Sequence, residues 1–330
     1  RPLQMKMTKN FNIEVLAPVG SREMLLAAVR SGADAVYLGA EDFNARRNAE
    51  NFGENELSES IRYCHIRGVK VYLTLNTAVR DDEIESAVSV AKKAYEAGID
   101  GIIVADLGLA RRLRIQFPDL PLHASTQMSV HSVSALPSLK KMGISRVVLS
   151  REMDKDGIKE FTQKAKSLGI ETEVFVHGAL CMSVSGQCLL SSVIGGRSGN
   201  RGLCAGPCRL PFSNTNNEYA LSLKDLSLLD YANELREMGV ASLKIEGRMK
   251  RPEYVAAAVS AFRYAADGEA VPTRIKELLG SVFSRSGHTD GYYKGNLGAH
   301  SGEMLGKGRA ENAACTGDYD CHRDSSCIKR

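Results

Sequence analysis

Residues 83–104 read Glu-Ile-Glu-Ser-Ala-Val-Ser-Val-Ala-Lys-Lys-Ala-Tyr-Glu-Ala-Gly-Ile-Asp-Gly-Ile-Ile-Val, and they hold the unit from which most of the chain is built. Ile84, Val88, Ala91 and Ala94 recur at helical spacing, so this stretch begins as an amphipathic helix. Gly98 supplies the left-handed residue that ends a helix at little steric cost. The apolar run 101–104 that follows is short and continuous, as a strand buried on both faces must be. The same order of helix, glycine and strand recurs with Gly32 before 35–38, Gly68 before 69–75, Gly143 before 146–149, Gly169 before 171–176 and Gly239 before 241–245. Residues 12–17 and 120–124 fit as strands without the glycine.

Eight buried strands alternating with helices demand a parallel sheet, and the spacing leaves room for right-handed crossovers. Eight such units favour a closed, TIM-like (β/α)8 barrel over an open doubly wound sheet. The interval from Gly169 to Gly239 is too long for one unit. It predicts a cysteine- and glycine-rich insertion, 178–217, after the seventh strand, and a further strand-like run at 219–223. The expected division is an N-terminal extension at 1–11, a barrel catalytic domain at 12–295 and an irregular tail at 296–330.

Apolar residues make up 43% of the 330 and charged residues 25%, the balance of a globular protein. Without tryptophan, the core must come from Leu, Ile, Val, Ala and Met. No apolar run approaches the roughly 18 residues of a membrane span, and residues 1–10 lack the apolar centre of a secretion signal. The expectation is therefore a cytoplasmic protein. A net charge of +4 permits an anionic partner without requiring one.

The eight cysteines are unevenly spread. Cys64 occupies an apolar helical position, Cys181, Cys188, Cys204 and Cys208 crowd together, and Cys315, Cys321 and Cys327 lie near the end. The central four, spaced x6, x15 and x3 among glycines, suit a 4Fe-4S cluster, a structural zinc, or merely redox-active or buried thiols. Short two-to-four-residue zinc knuckles match x6 poorly, whereas a cluster's corners stand farther apart. The chain lacks His-Glu-x-x-His, Gly-x-Ser-x-Gly and a phosphate loop ending in Gly-Lys-Ser/Thr. A Cys181–His177 protease pair is conceivable, but nothing in the sequence activates one cysteine above its neighbours. Polar residues expected at the carboxyl ends of strands, where barrel chemistry gathers, are Asn76, Asp106, Ser125, Gln127, Arg151, Glu152, His177, Glu246 and Arg248.

The segment Glu173-Val-Phe-Val-His-Gly-Ala-Leu-Cys-Met-Ser-Val-Ser-Gly-Gln-Cys-Leu-Leu-Ser191 resembles the signature of peptidase family U32, the collagenase-like proteases. Gly196-Arg-Ser-Gly-Asn-Arg-Gly-Leu-Cys-Ala-Gly-Pro-Cys-Arg209 is similar to that family's second cysteine block. Leu16-Ala-Pro-Val-Gly-Ser21, Asp34-Ala-Val-Tyr-Leu-Gly39 and Leu243-Lys-Ile-Glu-Gly-Arg248 extend the likeness across about residues 12 to 295. The resemblance implies a TIM-like barrel whose Cys181, Cys188, Cys204 and Cys208 hold a 4Fe-4S cluster, with zinc as the alternative metal. It implies hydroxylation of ribosomal or transfer RNA, prephenate-dependent in some members. A collagenase-like peptidase and an iron–sulfur protein of anaerobic ubiquinone biosynthesis are the alternatives. On this reading Glu246 and His177 handle protons and Arg248 holds an anion, while Arg151, Asn76 and Gln127 line the substrate site. RNA is the expected partner, and a protein partner would recruit it if a binding domain is missing. The tail with Cys315, Cys321, His322 and Cys327 has no counterpart in the resemblance, and reads as disordered or non-native, or as a second metal site.

Overall fold

The computed structural model describes residues 13–46, 49–212, 218–282, 284, 287–295 and 304–306. The N-terminal extension, the end of the insertion and almost all of the tail, including its cysteines, lie outside these residues.

Eight parallel strands close into a barrel. They are β1 (Glu14–Pro18), β2 (Ala35–Gly39), β3 (Lys70–Leu75), β4 (Gly101–Val104), β5 (Leu122–Ala124), β6 (Ile144–Val148), β7 (Glu171–Gly178) and, after an eighth short strand outside the ring, β9 (Ser242–Ile245). Each pairs with the next, and β9 closes the ring by pairing in parallel with both β7 and β1. The helices α1 (Arg22–Arg30), α2 (Glu54–His65), α3 (Ile84–Glu96), α4 (Leu107–Gln116), α5 (Leu136–Lys141), α6 (Lys155–Ser167), α8 (Ala232–Met238) and α9 (Pro252–Ala266) follow strands around the outside. Helix α7 (Leu190–Gly195) belongs to the insertion, and α10 (Thr273–Val282) packs on α9.

Local chemistry sets the helix starts. Ser21 accepts the Met24 N–H, Asp106 the Leu109 N–H and Asp154 the Gly157 N–H, each satisfying a donor that the first turn leaves open. Asp106 is thus a helix cap. The outward strand residues and the inner helix faces form the main core; Cys64 lies within it on α2, a small apolar filler whose thiol is pushed up to about 12 by burial. Leu16, Ala35, Tyr37, Tyr72 and Ile103 form a smaller apolar cluster inside the barrel. Beside it lies a buried ion network. Arg146 meets Glu14 at 2.6 Å and Glu173 at 3.3 Å, and Lys244 meets Glu173 at 2.6 Å. Each buried charge has a partner, which burial demands.

The extra strand differs from the one expected. Residues 218–221 turn, and Leu223 makes an isolated bridge to Leu305. The strand proper is β8 (Asp225–Ser227), which runs antiparallel against the end of β7 and carries β10 (His288–Thr289) on its other edge. The apolar look of 219–223 comes from anchoring side chains such as Leu223, rather than from a two-residue alternation.

Candidate active site at the barrel mouth

At the carboxyl end of β9 the chain delivers Glu246 and Arg248 to the mouth of the barrel. Glu246 Oε1 accepts from Arg46 Nη2 at 2.8 Å, and Oε2 accepts from Arg151 Nη2 at 2.9 Å. Burial opposes ionisation of Glu246, but Arg46 and then Arg151 outweigh it and bring its pKa from 4.5 to about 2. Arg248 is 3% exposed and donates to Thr74 Oγ1 at 3.0 Å and Asn44 Oδ1 at 3.3 Å. Burial pulls its pKa down to about 10, so its guanidinium remains charged at neutral pH. Gly39 makes room for it, since a Cβ there would stand 2.5 Å from Arg248 Nη1. Three guanidiniums thus surround one carboxylate, leaving the group short of two negative charges.

Arg46 comes from the loop between β2 and α2, which shows no periodic signal in the sequence. Asn76 holds that loop: its Oδ1 accepts the Ala45 N–H at 3.0 Å, while its Nδ2 donates to Ser125 Oγ at 3.4 Å. Arg151 lies with its guanidinium carbon 4.0 Å from the Phe175 ring centre, which flattens it against the barrel wall. Glu246, Arg248, Arg151 and Asn76 therefore occupy one mouth, with Arg46 added by the structure.

His177 does not join them. The pairing of β7 with β9 shifts register between Phe175 and His177, so His177 lies opposite Ile245, a member of the outer core. Its Nδ1 donates at 2.8 Å to the Tyr254 hydroxyl, which itself donates to the Glu246 carbonyl at 2.9 Å. Tyr254 and Phe262 of α9 and the His288 ring surround the imidazole. Burial first, then His288 and Lys250, depresses its pKa to about 3. His177 is a neutral wedge between barrel and helix, facing away from the mouth. The conceivable Cys181–His177 pair is not made either: His177 Nε2 is buried without a partner, and Cys181 is exposed.

The insertion roofs part of the mouth. Ala78 N donates to the Asn200 carbonyl at 3.1 Å, and Arg201 pairs with Glu83 at 2.6 Å, fixing it to the β3 loop. Gly186, at φ +79°, sits against the backbone after β5; a Cβ there would fall 2.3 Å from the Gln127 carbonyl oxygen. Gln127 thus serves as a backbone seat for the roof. Cys181 lies within electrostatic range of Arg46. Arg209, next to Cys208, donates to the Leu180 carbonyl, next to Cys181. Gly199 packs beside Cys204 and the Cys188 carbonyl, its Cβ position being 3.5 Å from Cys204 Cβ and 3.8 Å from that oxygen. The Gly206 N–H donates to Cys204 Sγ at 3.3 Å. These contacts draw the four cysteine segments together as two pairs. Among the described residues no three His, Cys, Asp or Glu side chains gather around a single-ion site. Thiols on glycine turns with an amide directed at sulfur are donors of a kind that both iron–sulfur clusters and structural zinc use.

The chain matches the profile of peptidase family U32 over residues 20–303. It is 37% identical over 275 residues to a protein of Bacillus subtilis named "tRNA hydroxylation protein P1", covering 78% of this chain and 64% of the relative. It is 36% identical over 263 residues to a 23S rRNA 5-hydroxycytidine synthase of Escherichia coli, covering 77% of this chain and 39% of that one. A Porphyromonas gingivalis protein named "Collagenase" is 36% identical over 311 residues, with 86% and 74% covered. The chain thus spans less than two thirds of the first two relatives. The solved structure of the U32 peptidase Mk0906 superposes with a TM-score of 0.50 at 16% identity, covering 71% of this chain and 93% of that one, a likeness of fold. No helix among the described residues is long and apolar enough to cross a membrane. With the family profile spanning most of its length, this chain belongs to peptidase family U32.

Proposed function

We propose that this chain is the catalytic barrel of a cytoplasmic, iron–sulfur-dependent hydroxylase acting on ribosomal or transfer RNA, with an anionic co-substrate such as prephenate. The observation that carries this reading is the group of Arg46, Arg151 and Arg248 around a single carboxylate, with Cys181 of the insertion within electrostatic range of Arg46. Its shortfall of two negative charges suits a dicarboxylate, and guanidinium forks bind carboxylates bidentately. The named activities of the Bacillus and Escherichia relatives supply the RNA class. Cys181, Cys188, Cys204 and Cys208 would hold the 4Fe-4S cluster, which supplies one-electron chemistry beside the mouth.

The chain's own groups prepare the site. At neutral pH Glu246 is ionised and serves first to order Arg46 and Arg151. A bound anion competes for those guanidiniums, and each one withdrawn from Glu246 raises its affinity for a proton. Glu246 can then accept a proton from a reacting group at the mouth. Arg248, held by Thr74 and Asn44, stays fixed while this exchange occurs. His177 takes no part, since its ring lies behind the strand.

Nucleoside mass spectrometry of RNA from cells with and without the gene, and with the gene carrying Cys204→Ser, tests the reading. A hydroxylated nucleoside that disappears with the gene and with the cysteine supports it. An unchanged nucleoside profile, together with collagen-peptide cleavage that survives loss of all four cysteines, refutes it in favour of the peptidase.

A further inference from the structure

Glu152 follows Arg151 directly, yet its side chain points to a different partner. Its Oε1 accepts two hydrogen bonds, from Ser185 N and from Ser185 Oγ, both at 2.9 Å. Ser185 is 4% exposed and lies midway between Cys181 and Cys188. The adjoining groups are tied to the barrel as well. The Ser185 carbonyl accepts from the Ser129 hydroxyl, and Gln187 Nε2 donates to that same Ser129 oxygen at 3.0 Å. Within the insertion itself, Asn200 Nδ2 donates to the Gly186 carbonyl at 2.5 Å. Of these ties, the one at Glu152 brings an anionic acceptor, and charge-assisted hydrogen bonds are roughly twice as strong as neutral ones.

We propose that Glu152 is a positioning residue for the cysteine roof: it clamps the centre of the Cys181–Cys188 span to the β6 loop, beside the arginine that holds Glu246. Two consecutive residues then serve the two halves of the site, Arg151 the anion group and Glu152 the thiols above it. The consequence for a cluster rests on the iron–sulfur reading; the clamp itself does not.

The test uses the full chain in three forms, wild type, Glu152→Ala and Glu152→Gln, and two measurements. The first is amide hydrogen exchange across 181–190 in protein purified without added iron. The clamp predicts exchange at Ser185 and its neighbours about tenfold faster in Glu152→Ala. Glu152→Gln, which keeps an acceptor oxygen, should fall in between, with exchange in the β1–β4 half unchanged. Exchange across 181–190 equal to wild type in Glu152→Ala overturns the clamp, as does a variant whose whole barrel exchanges faster in proportion. The second measurement is the rate at which a chelator strips iron from anaerobically reconstituted protein. Faster loss in Glu152→Ala, partly restored in Glu152→Gln, extends the positioning role to the cluster, and equal rates overturn that extension. A wild type that takes up no iron sinks the iron–sulfur reading, while the exchange data still decide the clamp.

Discussion

Replacing Glu246 with glutamine removes the carboxylate and nothing else of comparable size, so its effect isolates the charge at the centre of the mouth. In the folded protein the carboxyl titrates at about 2 against an ordinary 4.5. A folded-state pKa below the unfolded one contributes stability that is complete above about 4.5 and is lost as pH falls toward about 2. At about 1.36 kcal/mol per pKa unit, the contribution at neutral pH is on the order of 3 kcal/mol. One unit below the unfolded pKa, at pH 3.5, about 1 kcal/mol of it is gone. Glu246→Gln should therefore lower unfolding free energy by about 3 kcal/mol at pH 6, and by about 2 kcal/mol at pH 3.5. Chemical denaturation of both proteins at the two pH values reads this difference directly. The variant also leaves three guanidiniums facing one another, so a dicarboxylate should raise its melting temperature more than that of the wild type. A wild-type-minus-variant difference that stays flat between pH 6 and pH 3.5 would refute the reasoning, because the ion pairs would then not set the carboxyl's ionisation.

Arg248→Ala should weaken prephenate binding at least about tenfold, a loss of about 1.4 kcal/mol, measured by calorimetry; unchanged affinity would remove Arg248 from the anion site. His177→Phe should leave RNA modification within about threefold of wild type, measured by nucleoside mass spectrometry, because the imidazole packs against α9 instead of entering the mouth. With its folded-state pKa at about 3, below the ordinary 6.5, His177 gives stability that is lost as pH falls below 6.5. The phenylalanine variant should therefore gain on the wild type in acid, as thermal melts across that range would show. Gly186→Ala sets a methyl 2.3 Å from the Gln127 carbonyl and strains a positive φ. Protease cleavage within 178–212 should quicken in that variant while the barrel's melting temperature holds, and equal cleavage would deny the seat its role.

The ring of strands was legible because most helices end in glycine ahead of a buried apolar run, and closure followed from the number of such units. Asn76, Arg151, Glu246 and Arg248 were legible as residues of the barrel mouth for a related reason: the last polar residues of parallel strands have few reasons to be there other than the mouth. His177 was misread because the two-residue alternation of Glu171, Glu173 and Phe175 points it inward, and the register shift that turns it out leaves no mark in composition. Arg46 escaped notice because its loop has no period, and its place depends on a long-range bond from Asn76. The spacing of the cysteines gave no sign of how their segment is anchored, which rests on Glu152, Ser129 and the Ala78 amide, residues distant from them in the chain.

The insertion is moored on the loops after β3, β5 and β6, all on one flank of the ring. The opposite arc, formed by the segments after β1 and β2, carries Arg46 with its side chain 30% exposed. Under the function proposed above, that arc would serve as the doorway. A long polymer would approach sideways, sliding a single nucleotide under the eave instead of descending along the barrel axis. Which nucleotides pass would then be a property of residues 40–46 and 49–53, and selectivity could change there while every sulfur stayed where it is.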